Sequence, residues 1–540
     1  MGTKNSVDSR PVIGAADPVD RRQFMGSALG TAAGIGAALT TGAAVAAQPG
    51  PPAPGPAAPP TDIAQRYAAP ASRGPTLFRV EMDIADCEVD GKIPTDLSGA
   101  FFRVGPDAQF PLAKGNIPFD GEGHVSRFQF NNGHASFKTR FVRNERYVAQ
   151  EKAGKILFPM YRNPYVDDPS VKGKSRGTHN THIIHHNGVL LALKEDSPPA
   201  AMDLNTMATL DPVYRFNDQL KSATFTAHPK LDSGTGNLIG FGYEAKGFNT
   251  TDVNVFEYTP QGKKIWDAWV KVPYVGMLHD FAVTENYIVL YVIPLKIDLA
   301  QMEKGGVHWS WWSGEPTYFG YFRRGGDGKD IRFIKGPERS ATHVMGAFDD
   351  GKRVVIDVEM SQSNPFPFMP MHDGSSWDPV KGSSHITRLS ASLSKETPSD
   401  YQMEVLYPEY TGALPRQDDR YNTAHYRYGF LSCSFNDAGG RGNGIARFDV
   451  QERTSKLWKA PQGMSVGEVC FAPKNKNAPE GTGYIMAVTT HAADNGRNDL
   501  VILDAERIEE GPIATVKMPT RIVGQIHGWW VPADQFPKKA

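Results

Sequence analysis

The chain has 540 residues, with 58 Lys and Arg against 59 Asp and Glu, a net charge of -1 and an isoelectric point near 7.0. That balance leaves no basic footprint for nucleic acid. The 3 cysteines, Cys87, Cys433 and Cys470, are too few and too scattered for a disulfide framework or a zinc site, although one bridge stays open.

In chain order, the first element is a targeting segment. Asp20-Arg21-Arg22-Gln23-Phe24-Met25 is a twin-arginine pattern, and the uncharged Ala/Gly-rich stretch 26–47 follows it. Such a stretch is too weakly hydrophobic for a good membrane anchor. Residues 1–47 are therefore expected to be a removable signal read by the twin-arginine export machinery, with a periplasmic destination in a bacterium. Small residues around Ala44-Val45-Ala46-Ala47 offer the cleavage point. The Pro/Ala-rich residues 48–76 read as a spacer and N-terminal arm.

From Leu77 to the C-terminus (77–540) the pattern is strand after strand. Val125–Phe130, Leu238–Tyr243, Val253–Tyr258, Tyr287–Val292 and Arg353–Val358 are predicted strands, several with period-two alternation. Asn132-Gly133 and Asn187-Gly188 read as hairpin turns between them. With 54 Gly and 41 Pro, long helices are not expected to dominate. This many short strands describes an all-β propeller, a pair of large sandwiches or a β-helix. Two aromatic inserts, Val307–Trp312 and the Pro-rich Asn364–Pro370, fit loops over one end of such a fold.

Four histidines stand in distinct settings: Phe225-Thr226-Ala227-His228-Pro229-Lys230, Met277-Leu278-His279-Asp280, Ala341-Thr342-His343-Val344 and Gln525-Ile526-His527-Gly528-Trp529-Trp530. Their gaps, roughly fifty, sixty and 180 positions, approach multiples of a propeller blade. Only a closed, radially repeated fold would aim such distant side chains at one axis. Four neutral imidazoles suit a borderline divalent metal: ferrous iron would keep open positions, whereas a closed zinc site would be inert.

With these four settings in order, the chain from Leu77 onward resembles the carotenoid cleavage oxygenases, and within them the lignostilbene dioxygenases. The resemblance implies a seven-bladed β-propeller with Fe(2+) on its axis, beneath a cap of loops and short helices. It also implies glutamates that accept the second ring N–H of three ligands. Glu195 in Leu193-Lys194-Glu195-Asp196 and Glu468 in Gly467-Glu468-Val469 match two of them. The third falls near Ala413, which cannot accept a proton, so water, Asp418 or Asp419 is expected in its place. Gly346 departs from the family, which usually has Asn there.

The substrate is read from Lys194, where carotenoid-cleaving members more often carry an apolar residue. Lys194 and Tyr161 match the pair that holds a phenolic hydroxyl in lignostilbene dioxygenases, Phe119 the ring-stacking residue and Thr181 the threonine near the open iron position. The expected partners are a small aromatic substrate and dioxygen, and the expected reaction is cleavage of the central alkene of a 4-hydroxystilbene. A carotenoid dioxygenase, which alone would need membrane contact, and an inactive ligand-binding propeller are the alternatives. Monomer and homodimer both stay open.

Overall fold

The computed structural model describes residues 78–112, 115–394, 401–437, 440–519 and 521–537. The expected signal (1–47) and spacer (48–76) lie outside the described residues. Seven antiparallel sheets of four or five strands follow one another along the chain, with one extra two-stranded ribbon. They form a seven-bladed β-propeller.

From the second blade onward, the axial strands are His182–His186, Lys230–Leu231, Phe281–Val283, Ser340–Asp349, Tyr410–Gln417 and Met464–Pro473. The chain then returns to the first blade with His527–Pro532, which contacts both Met464–Pro473 and His182–His186. Closure is made by hydrogen bonding between early and late strands of the propeller. His527–Pro532 pairs with Gly99–Asp107, from Gly99 opposite Pro532 to Val104 opposite His527. Just ahead of Gly99–Asp107 in the chain, Val89–Gly91 completes the last blade by pairing with Pro512–Lys517.

Local sequence accounts for the hairpins. Asn132-Gly133 and Asn187-Gly188 take φ values of 50 and 81, and 51 and 76. Positive φ at both positions is what a tight two-residue hairpin turn requires. The period-two pattern is weaker than a half-exposed sheet would give, because blades stack on both faces of their neighbours. Leu238–Tyr243 and Asp252–Tyr258 are buried at every position. A strand covered on both sides gains nothing from alternation.

Helices among the described residues are few and short. Glu145–Ala153 is capped by Asn144, whose side chain accepts from the Tyr147 N–H, and ends at Gly154 in the left-handed region. Leu299–Glu303 lies in an insert beside the ribbon Leu295–Ile297 and Trp309–Trp311. Trp309 and Trp311 of that insert are fully buried. No helix among the described residues is long and apolar enough to cross a membrane. Cys87, Cys433 and Cys470 are buried and unpaired, so the bridge left open by the sequence is not made.

Candidate active site

The fold brings all four sequence-selected histidines to one point. His228 and His279 each lie two residues before an axial strand, Lys230–Leu231 and Phe281–Val283, and His527 opens His527–Pro532. His343 sits inside Ser340–Asp349, at an irregularity in the pairing between Ala341 and Val344. All four are buried, and their ligand atoms lie within 4.8 Å of one another. The Nε2 atoms of His228 and His279 are 3.1 Å apart, and those of His279 and His343 are 3.0 Å apart.

Three carboxylates fix which nitrogen faces inward. His279 Nδ1 donates to Glu195 Oε1 at 2.8 Å, His343 Nδ1 to Glu359 Oε2 at 2.7 Å, and His527 Nδ1 to Glu468 Oε1 at 2.7 Å. With Nδ1 protonated, each Nε2 offers a lone pair. Lone pairs facing each other at 3.0 Å repel, and the buried Nε2 of His527 has no hydrogen-bond partner in the protein. A cation between them resolves both problems, so the residues fit a metal ion. Burial, and then the neighbouring imidazoles, hold His228 and His527 well below the usual histidine range, which keeps them neutral. Burial opposes ionisation of Glu195, but His279 and Lys194 outweigh it and hold its pKa at about 2.

Glu359 corrects the sequence expectation. Neither Asp418 nor Asp419 takes the third position: Asp418 binds Arg420, and Asp419 binds Arg416. Glu359 lies on the strand Arg353–Ser361, paired with the His343 strand, and the irregular register puts it beside the ring. The Ala413 segment is nonetheless close, since the Leu414 N–H donates to the same Glu359 oxygen at 3.1 Å. Gly346 also has a local reason. A Cβ there would lie 2.3 Å from the ring of Tyr426 and 2.7 Å from Gln417 Oε1. Tyr426 occupies the space that a side chain at 346 would need.

The residues expected to meet the substrate gather around Lys194. Lys194 Nζ lies 5.3 Å from the ring centroids of both Phe119 and Tyr161. It donates to Asn180 Oδ1 and to Thr181 Oγ1, each at 3.2 Å. Asn180 in turn donates to the backbone carbonyls of Phe119 and Gly121, tying the Phe119 loop to this lysine. Burial lowers the Lys194 pKa, with Asp196 and Glu195 opposing the shift. The Asn364–Pro370 insert adds Phe366 and Phe368, whose rings meet Phe119 edge-on at 6.1 and 5.0 Å.

Sequence reasoning missed a fifth imidazole. His182 packs 5.1 Å from His527 and 5.6 Å from His228, and its Nδ1 donates to the Ala227 carbonyl at 2.7 Å. The axial cavity beside the centre, about 40 Å³, is lined by His182, His228, His343 and His527 with Lys230 and Arg416.

Residues 76–532 match the family model described as retinal pigment epithelial membrane protein. The chain belongs to this family. Among its relatives, lignostilbene-alpha,beta-dioxygenase isozyme III of Sphingomonas paucimobilis is 37% identical over 85% of this chain and 96% of its own length. Isoeugenol monooxygenase of Pseudomonas nitroreducens is 35% identical over 84% of this chain and 96% of its own. The crystal structure of Pseudomonas brassicacearum lignostilbene dioxygenase superposes with a TM-score of 0.80 at 37% identity, covering 85% of this chain and 97% of that one.

Proposed function

We propose that this protein is an iron(II)-dependent dioxygenase that cleaves the central double bond of a 4-hydroxystilbene, yielding two aldehydes. The observation that carries the reading is the buried Lys194 ammonium, set between the rings of Phe119 and Tyr161 and next in sequence to the glutamate that orients His279. The names of the relatives, a lignostilbene dioxygenase and an isoeugenol monooxygenase, support an aromatic alkene as substrate.

His228, His279, His343 and His527 would hold iron(II), which when bound supplies the activation of dioxygen. The rest of the chemistry belongs to the protein. Lys194 has a third N–H beyond the two given to Asn180 and Thr181, and that N–H is free to meet a phenolic oxygen. Stabilising negative charge on that oxygen pushes electron density through the ring to the alkene. The Tyr161 hydroxyl orients the phenol, Phe119 stacks on its ring, and Thr181 borders the reacting region. Both atoms of dioxygen leave in the products, one in each aldehyde, so no external reductant is required. We further propose that the segment 1–47 directs periplasmic export through the twin-arginine machinery, a route for folded proteins that lets the metal be acquired beforehand.

The test compares a 4-hydroxystilbene with its methyl ether, in the parent and in Lys194→Met. The parent should cleave only the phenol, and Lys194→Met should lower kcat/KM by at least ~100-fold, the loss of a charged contact that strengthens in the transition state. Equal cleavage of the ether, or an intact Lys194→Met enzyme, refutes the phenol reading and moves a polyene substrate ahead.

A further inference from the structure

The glutamate behind His279 is not held by its histidine alone. Its second oxygen, Glu195 Oε2, accepts from the Tyr243 hydroxyl at 2.7 Å. The Tyr243 oxygen accepts in turn from Arg162 Nη1 at 2.6 Å, and Arg162 Nη2 donates to Glu244 Oε2 at 2.6 Å. The guanidinium lies between two aromatic rings, 5.2 Å from the centroid of Tyr243 and 5.0 Å from that of Trp309. Arg162, Tyr243, Glu244 and Trp309 are all buried.

Arg162 also follows Tyr161 directly, and its backbone is fixed in an unusual conformation. Its φ is 50, in the left-handed region that a residue with a side chain seldom adopts. The Tyr161 carbonyl accepts from the His308 N–H, and the Arg162 carbonyl accepts from His308 Nδ1. Asn163 anchors the next residue by donating to the carbonyls of Met302 and Gly306. The insert around Leu299–Glu303 and Trp309–Trp311 thus acts as a buttress for Tyr161.

We propose that Arg162 is a positioning residue serving two sites at once. Through Tyr243 it steers Glu195 and so the His279 ring; through the backbone it places Tyr161. Its role toward Tyr161 rests on the phenol reading above, whereas its role toward the metal ligand does not. A buried ion pair with Glu244 that served stability alone would need neither the Tyr243 hydroxyl nor the link to Glu195.

The experiment measures iron release from the loaded enzyme to a ferrous chelator, together with KM for a 4-hydroxystilbene, in parent, Tyr243→Phe, Arg162→Met and Arg162→Lys. Melting curves establish that each variant is folded. Tyr243→Phe keeps the ring but removes the hydroxyl that joins Arg162 to Glu195, so iron should leave about 10-fold faster or more, the usual range for partners of a ligating histidine. Arg162→Met should speed iron release and raise KM as well. Arg162→Lys, with a charge but no fork, should fall between Arg162→Met and the parent in both measurements. Parental iron release from Tyr243→Phe overturns the bridge, and it does so even where Arg162→Met proves unstable. An Arg162→Met enzyme with altered iron release but parental KM overturns the Tyr161 arm. Should the parent cleave the methyl ether as fast as the phenol, the substrate reading fails while the iron-release comparison still decides the metal arm.

Discussion

The carboxylates behind His343 and His527 are not equivalent, and replacing each by glutamine should reveal it. Glu359 receives two N–H donors, His343 Nδ1 and the Leu414 N–H, on the single oxygen Oε2. A glutamine can place its carbonyl oxygen there and keep both bonds, losing only the charge. The difference between a charged and a neutral acceptor is about 1 kcal/mol, or roughly fivefold in metal affinity. Glu468 divides its donors, taking His527 Nδ1 on Oε1, where Arg416 Nη1 also lies at 3.5 Å, and the Gly528 N–H on Oε2. In Glu468→Gln one of these N–H groups must face an NH₂ in a buried site, which adds about 1–3 kcal/mol. Iron affinity should therefore fall roughly fivefold in Glu359→Gln and about 30-fold or more in Glu468→Gln. Anaerobic competition with a chromophoric ferrous chelator gives both constants. Parental affinity in Glu359→Gln, or the reverse order of the two variants, would refute this account of Glu359 and Glu468.

Two other outcomes are expected. Asp232 is held at a pKa of about 2, burial being outweighed by Thr235 and Arg324, and it also accepts from Thr423 across the blades. A carboxylate whose folded pKa is depressed adds stability above its unfolded pKa and loses it as the pH falls toward the folded value. Asp232→Asn should cost about 1–2 kcal/mol near pH 7 after allowance for solvent screening, with the gap to the parent narrowing below about pH 4. Urea unfolding across that range checks it, and a gap independent of pH would sink it. For export, changing Arg21 and Arg22 together to lysine should leave the protein in the cytoplasm. Normal processing and periplasmic recovery of that double variant would argue against a twin-arginine signal.

The parts of the site that could be read from sequence are those carried by short local settings. Each histidine has its own flanking residues, and Lys194 with Glu195 forms a dipeptide that places the lysine proposed to meet the phenol beside a carboxylate that orients His279. Glu359 was hidden because its place depends on a register shift between two strands, which moves it opposite His343 in a way residue spacing does not reveal. The Arg162 bridge was hidden for a related reason: its partners Tyr243, Glu244 and Trp309 come from other blades and inserts. The individual strands were legible, whereas the burial of both faces in Leu238–Tyr243 follows from the stacking of blades and not from any one segment.

The pairing of His527–Pro532 with Gly99–Asp107 sets the order in which this centre can come into being. Three of the imidazoles are supplied by the third, fourth and fifth blades, but the fourth arrives only when strands more than 400 residues apart meet, as Arg103 and Gln525 do. Contacts so distant in sequence are slow to form. A ring still open at the first blade presents at most three of its four imidazoles and leaves Glu468 without its histidine. Such a species would hold iron poorly and expose the flanks of the unclosed blade. Acquisition of the full coordination set thus reports completion of the ring, and metal bound to all four imidazoles would act as a latch favouring the closed form over any partly folded precursor.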